Sequence, residues 1–129
     1  MLRDNITDIS FIEVSGKTTK YYNDNQRDLG SHLDVHTRFI DLDEDTAGVS
    51  TADVTMNLVA TFQGKEVYLS EVTARVRIEN LEDKHQDITS ELIDLVWPIM
   101  ATKLLDVAQA VGLSLTGLPM FKPEKSAQR

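Results

Sequence analysis

"ADVTMNLVATFQGKEVYLSEVTARVRI", Ala52 to Ile78, decides the fold. Val54, Met56, Leu58, Ala60 and Phe62 share one side of its first half, and Thr55, Asn57 and Thr61 take the other. A period of two marks a strand with one face buried. "QGKE" (Gln63–Glu66) is a short turn containing a glycine, after which alternation resumes over Val67–Ile78. Two such runs around a short Gly turn predict an antiparallel hairpin. In the second run, Val67 and Leu69 are out of phase with Val72, Ala74, Val76 and Ile78. A β-bulge near Ser70–Glu71 would reconcile the two sets.

Upstream, "SHLDVHTRFIDL" (Ser31–Leu42) also alternates, with Leu33, Val35, Thr37 and Phe39 opposite His32, Asp34, His36 and Arg38. It predicts a further half-buried strand. "ISFIEV" (Ile9–Val14) is a short strand candidate. The rest of Met1–Gly30 is polar and rich in turn formers, and reads as irregular, with Tyr21 and Tyr22 as candidate anchors onto a core.

Downstream, Met100, Leu104, Leu105, Ala108 and Val111 recur at helical spacing. Proline is favoured at the first helical position, so the main helix is expected to open at Pro98. "SELIDLVW" before it reads as a short helix or an extended lead-in. Gly112 suits the position just past the helix end. Leu113, Leu115, Leu118, Met120 and Phe121 then follow without a helical or strand period. Strands followed by one main helix predict an α+β fold: an antiparallel sheet of about four strands with a C-terminal helix packed on one face. The expected layout is a single domain over 1–129. It has an irregular segment with a short strand at 1–30, strands over 31–80, helix over 90–112, and an apolar exit strip with a frayed tail over 113–129.

Composition narrows the function classes. The 129 residues carry 13 Lys+Arg against 21 Asp+Glu, a formal net charge of −8. Such a chain repels phosphate backbones and anionic lipid, so neither nucleic acid nor membrane is expected as a partner. No cysteine is present, which excludes disulfides and thiolate metal sites. There is no apolar leader at the start of the sequence and no apolar run of about 18 residues, so a cytoplasmic protein is expected.

The chemistry-bearing patterns are weak. His32, Asp34 and His36 share a strand face and could in principle hold a divalent metal. At strand rise, however, the two histidines stand about 13 Å apart, too far for one ion without a bend. Asp41, Asp43 and Asp45 begin a calcium-loop spacing, but Thr46 stands where glycine is needed and Ala52 where glutamate is needed. No nucleophile elbow, P-loop or dinucleotide fingerprint occurs. No enzyme, metal or cofactor is expected.

Three stretches resemble the SecB family of protein-export chaperones. "FIDLDEDT" is similar to its strand-end motif through Ile40, Asp41, Leu42, Asp43 and Thr46. The hairpin Val54–Glu79 is similar to its long central hairpin, with Leu69, Glu71 and Val72 in a hydrophobic-x-Glu-Val segment. "VWPIMATKLLDVAQAVGLSLTGLPMF" (Val96–Phe121) is similar to its aromatic-Pro start, long helix, glycine and Leu-x-Pro-hydrophobic-Phe exit, through Pro98, Gly112, Leu118, Pro119 and Phe121. "DISF" (Asp8–Phe11) is a smaller N-terminal match.

The resemblance implies a four-stranded antiparallel sheet with a helix on one face. It also implies dimers or dimers of dimers, with the main helix near subunit contacts. The family continues into a second helix that helps line the client groove. Here "KPEKSAQR" leaves that helix missing or reduced to a stub, as in a shortened branch such as the small SecB-like proteins of Gram-positive bacteria.

The function expected from the resemblance is an ATP-independent module that binds unfolded or extended polypeptide. The expected apolar contacts are Tyr68, Trp97, Met100, Leu118, Met120 and Phe121. The acidic turn at Asp41, Asp43, Glu44 and Asp45 would meet a basic protein partner. The alternative is a non-enzymatic interaction or scaffold protein whose apolar surface is consumed by homodimer or homotetramer formation.

Overall fold

The structure, a computed structural model, describes residues 2–40, 49–79 and 88–113. A short 3-10 turn, Leu2–Asn5, precedes four strands and a helix: β1 (Ile6–Thr18), β2 (Gly30–Ile40), β3 (Val49–Phe62), β4 (Lys65–Glu79) and α1 (Thr89–Ala110). The strands form one antiparallel sheet in the order β1-β4-β3-β2, with α1 on one face. The expected α+β architecture is therefore the observed one.

The β3–β4 hairpin sets the centre of the sheet. Phe62 pairs with Lys65 across a two-residue turn, and both turn residues have positive φ, 53° at Gln63 and 81° at Gly64. That is the mirror-image turn whose twist matches flanking strands, and glycine at the second position lowers its cost. Ala52, Val54, Met56, Leu58 and Ala60 of β3 and Tyr68, Ser70, Val72, Ala74, Val76 and Ile78 of β4 point to the helix side and are buried. The register slips by one between Ala60 and Thr61. The extra residue is thus Val67, three residues before the expected bulge at Ser70–Glu71. Leu69 keeps strict alternation and faces away from the core.

The first 30 residues are more regular than expected, because β1 runs for 13 residues along β4. Its inward residues are Ile6, Ile9, Phe11 and Val14, spaced three, two and three. The register slips after Ile6 and again after Phe11, leaving Thr7 and Ile12 as extra residues. Each bulge resets the phase, so a strict period of two fails on this strand.

Since β1 and β2 are opposite edges, the connection Thr19–Leu29 crosses the end of the sheet past the hairpin turn. Hydrogen bonds stitch it down: Thr19 N–H donates to Val67 O at 3.0 Å, and Gln26 Nε2 donates to Tyr21 O at 2.9 Å. Tyr22 packs against the core. Tyr21 instead lies exposed between the ammonium groups of Lys20 and Lys65, 5.2 and 5.3 Å from its ring centre.

Helix α1 starts at Thr89, not at Pro98, which lies inside it. The buried stripe explains the difference. Leu92, Ile93, Val96 and Trp97 continue without a phase break into Met100, Ala101, Leu104 and Ala108. Burying each of the four large side chains before the proline contributes about 1.5–3 kcal/mol. A mid-helix proline costs about 3 kcal/mol, so packing wins. Pro98 is also exposed, on the side where water can reach the backbone it disrupts. The C-terminus closes as expected. Gly112, at φ 81°, donates its N–H to Gln109 O, and Leu113 N–H donates to Ala108 O, both at 3.0 Å. Leu113 then folds back as a buried residue, completing a Schellman stop.

The opposite sheet face is polar. Arg75 forks onto Asp53 through Nε at 2.8 Å and an Nη at 3.0 Å, and the hydroxyls of Thr55 and Thr73 meet at 2.9 Å. Pro98→Ala removes a helix breaker without removing core volume. It is expected to raise stability by about 1–3 kcal/mol, seen as a higher urea midpoint at unchanged slope. A destabilised variant would show that Pro98 holds a contact the packing does not reveal.

Candidate polypeptide-binding surface

The helix does not roof the whole sheet. It lies over β4 and reaches β1 and β3, with at most marginal approach to β2. Its orientation is fixed by two contacts. Lys103 Nζ sits 5.2 Å from the Phe11 ring centre, and Val107 lies so close over Gly16 that a Cβ there would overlap it. The Lys103–Val107 flank therefore covers β1. At 3.6 residues per turn, the opposite flank carries Trp97, Ala101 and Leu105 and turns toward β3 and β2.

A strip of inner sheet face is left beyond that flank. Leu33, Val35, Thr37 and Phe39 of β2 pair with Leu58, Met56, Val54 and Ala52 of β3. The β3 partners are buried. Leu33 and Val35 are only half-buried, and Phe39 is 46 % exposed. Among the described residues, this is an apolar floor at a sheet edge, on the side toward which the flank carrying half-buried Leu105 turns. Beyond it the edge of β2 faces no described strand. Alternation had marked Leu33, Val35 and Phe39 as core-facing; their open position depends on where the helix lies, which alternation does not record.

The residues expected as polypeptide contacts are placed differently. Tyr68 and Met100 are fully buried, and Trp97 is 6 % exposed. All three pack α1 onto the sheet. Leu118, Met120 and Phe121, and the acidic Asp41, Asp43, Glu44 and Asp45, lie outside the described residues. On the polar face, His32 Nε2 lies 3.1 Å from Asp34 Oδ1, with both side chains largely exposed. Among the described residues, no three His, Cys, Asp or Glu side chains gather as metal ligands, and no helix is long and apolar enough to cross a membrane.

Tyr68, like Thr37, carries a hydroxyl buried without a hydrogen-bond partner among the described residues. The Tyr68 hydroxyl lies under Gly16 and Val107. Burial raises its pKa above the ordinary 10.0. The Ser70 hydroxyl, which donates its own proton to Ser15 O at 2.8 Å, acts in the opposite direction and is the smaller influence.

No family model matches the chain, and no curated protein matches it. Solved structures do. The SecB-like chaperone Rv1957 of Mycobacterium tuberculosis, in complex with a ChAD peptide from the Rv1956 HigA1 antitoxin, superposes with a TM-score of 0.68 over 95% of each chain at 16% identity. A Streptococcus agalactiae protein of unknown function gives a TM-score of 0.44, 12% identity, and coverage of 81% of this chain and 86% of its own. The first likeness shows that the chain has the SecB-like fold.

The Tyr68 setting makes alkaline stability testable. Because the folded pKa lies above the unfolded one, the folded state binds its proton more tightly. The associated stability is intact below about pH 10 and is lost as pH rises through the raised folded value. Tyr68→Phe is expected to flatten the alkaline loss in urea titrations run across that range. An unchanged slope would exclude Tyr68 as its source.

Proposed function

We propose that this protein is a SecB-like polypeptide-binding module, an ATP-independent cytoplasmic holdase for non-native or extended chains. One observation carries the reading: among the described residues, α1 leaves the inner face of β2 without a roof, so Leu33, Val35 and Phe39 form an apolar floor at the sheet edge. A fold shared with a chaperone that holds a peptide supports it.

The mechanism is passive. Apolar side chains of a client lie on the β2 strip and against Leu105, removing apolar area from water at about 25 cal/mol per Å², while Trp97, expected as a contact, acts by packing α1 onto the sheet. Backbone pairing along the β2 edge is the second mode, since a free strand edge is a template for an extended chain. Leu118, Met120 and Phe121 are further apolar client contacts in this proposal, and Asp41, Asp43, Glu44 and Asp45 contacts for a basic partner. Tyr68 and Met100 act beneath the surface by seating α1. No bond is made or broken, so the reading assigns no catalytic residue.

The test is suppression of aggregation of a chemically unfolded protein, with native chain and Phe39→Ser compared. Phe39 is 46 % exposed, so its loss is expected to cost about 1–2 kcal/mol of stability, and a urea titration confirms that the variant stays folded under the assay conditions. The native chain should suppress aggregation near stoichiometric ratios, and Phe39→Ser should need several-fold more protein. No suppression by the native chain, even in excess, would refute the holdase. Full activity in Phe39→Ser would move the site off β2.

A further inference from the structure

The β2 edge has a polar side as well as an apolar one, and the polar side can tell one extended chain from another. This inference rests on the reading of β2 as the client strand. Leu33, Val35 and Phe39 take the inner face, while His32, Asp34, His36 and Arg38 alternate with them on the outer face and are exposed. Among the described residues, Arg38 has no ion-pair partner. Asp53, opposite it on β3, is already held by the Arg75 fork. Asp34 meets only His32, at 3.1 Å, and a pair so exposed holds little energy.

The direction of the β2 backbone groups follows from the hairpin turn. Phe62 and Lys65 close a two-residue turn, so Phe62 points its N–H and C=O at Lys65 of β4. Successive residues of an antiparallel ladder alternate in direction. The slip at Ala60 leaves its extra residue on β4, and β3 pairs with β2 without a break from Thr61 to Thr51. Val59, Asn57, Thr55 and Asp53 therefore bond to β2, and their partners His32, Asp34, His36 and Arg38 bond back to β3. Leu33, Val35, Thr37 and Phe39 are left with donors and acceptors pointing out of the sheet.

A chain added antiparallel to this edge makes two kinds of pair. Opposite Leu33, Val35 and Phe39 it exchanges hydrogen bonds and lays its side chains on the apolar floor. Opposite Asp34 and Arg38 it forms the non-hydrogen-bonded pairs, whose Cα atoms lie about 4.5 Å apart and whose side chains approach most closely. The charged residues are thus the ones placed to read a client's side chains.

We propose that β2 selects an extended segment in which an acidic residue precedes a basic one by four positions, with apolar residues facing the floor. The acid falls opposite Arg38 and the base opposite Asp34. A slide of one residue turns the client's apolar side to the polar face. A slide of two keeps the faces but sets the acid against His36 and the base against His32, or the acid against Ile40 and the base against His36, and both ion pairs are lost. The floor, apolar at Leu33, Val35 and Phe39, tolerates such a slide. It supplies affinity, and the outer face fixes register and direction.

Two capped, dye-labelled heptapeptides of one composition make the test. Each has valine first, fifth and seventh and threonine third and fourth. One has glutamate second and lysine sixth, and its isomer has the two exchanged. By fluorescence anisotropy at low salt, the glutamate-first peptide should bind about tenfold tighter, or about 1.4 kcal/mol. The preference should fade toward about 1 M salt, and the Asp34→Arg/Arg38→Asp exchange should invert it. Far-UV circular dichroism confirms that the variant is folded. Methylating the backbone nitrogen of the fifth residue, which faces Val35, should weaken binding about tenfold, whereas methylating that of the sixth, whose N–H points away from β2, should not. Equal binding of the isomers, lost in Phe39→Ser, would overturn the charge register and leave the β2 site standing. A preference for the lysine-first isomer, or an exchange variant that keeps the native preference, would do the same. Binding of neither peptide up to about 1 mM would overturn the β2 site itself.

Discussion

The packing of one helix on the two central strands holds this structure together. Leu92, Ile93, Val96, Trp97, Met100, Ala101, Leu104 and Ala108 form one stripe, and the inward residues of β3 and β4 form the surface that receives it. The stripe is strong enough to run through Pro98. It also decides where the helix lies, and hence which parts of the sheet are closed. With Val107 pressed onto Gly16 and Lys103 over Phe11, the helix is committed to the β1 side of centre. The half-open state of β2 follows from that commitment.

A single sheet with a single helix has one interior, and the other face must satisfy itself in water. It does so with polar cross-strand pairs. Asp53 and Arg75 form a bidentate pair on neighbouring strands, partly exposed and worth little in isolation. The hydrogen bond holds the Arg75 guanidinium more firmly in its charged form, an effect that outweighs the small cost of its desolvation. Such pairs fix register more than they add stability, because opposite-strand partners are reached only at one alignment. The bulges at Thr7, Ile12 and Val67 do related work by bending the strands where edge and turn meet the core.

The two sheet edges differ in chemistry. The β1 edge lies beside the helix flank, with Ile12 and Val14 exposed. The β2 edge lies beyond the helix, with an apolar inner face and alternating charged residues outside.

The sequence by itself determined which residues face in. Alternation named the inner faces of β2 and β3, and the hairpin turn was legible in Gln63–Gly64. Spacing of three and four exposed the helix stripe, and Gly112 marked the helix end. These are local properties, set by the periods of strand and helix and by the positive φ that glycine adopts cheaply. Phase was lost wherever a bulge intervened, which shortened β1 to Ile9–Val14 and displaced the β4 bulge from Val67. Tyr68, Met100 and Trp97 stood out as apolar or aromatic, but nothing local says whether such a side chain is core or surface. Only the tertiary structure decided that they lie beneath the helix while Phe39, equally inward by alternation, lies in the open. The reason is physical: burial is a property of what lies opposite a residue, and a helix about 10 Å wide covers two or three strands of a four-stranded sheet, not all of them.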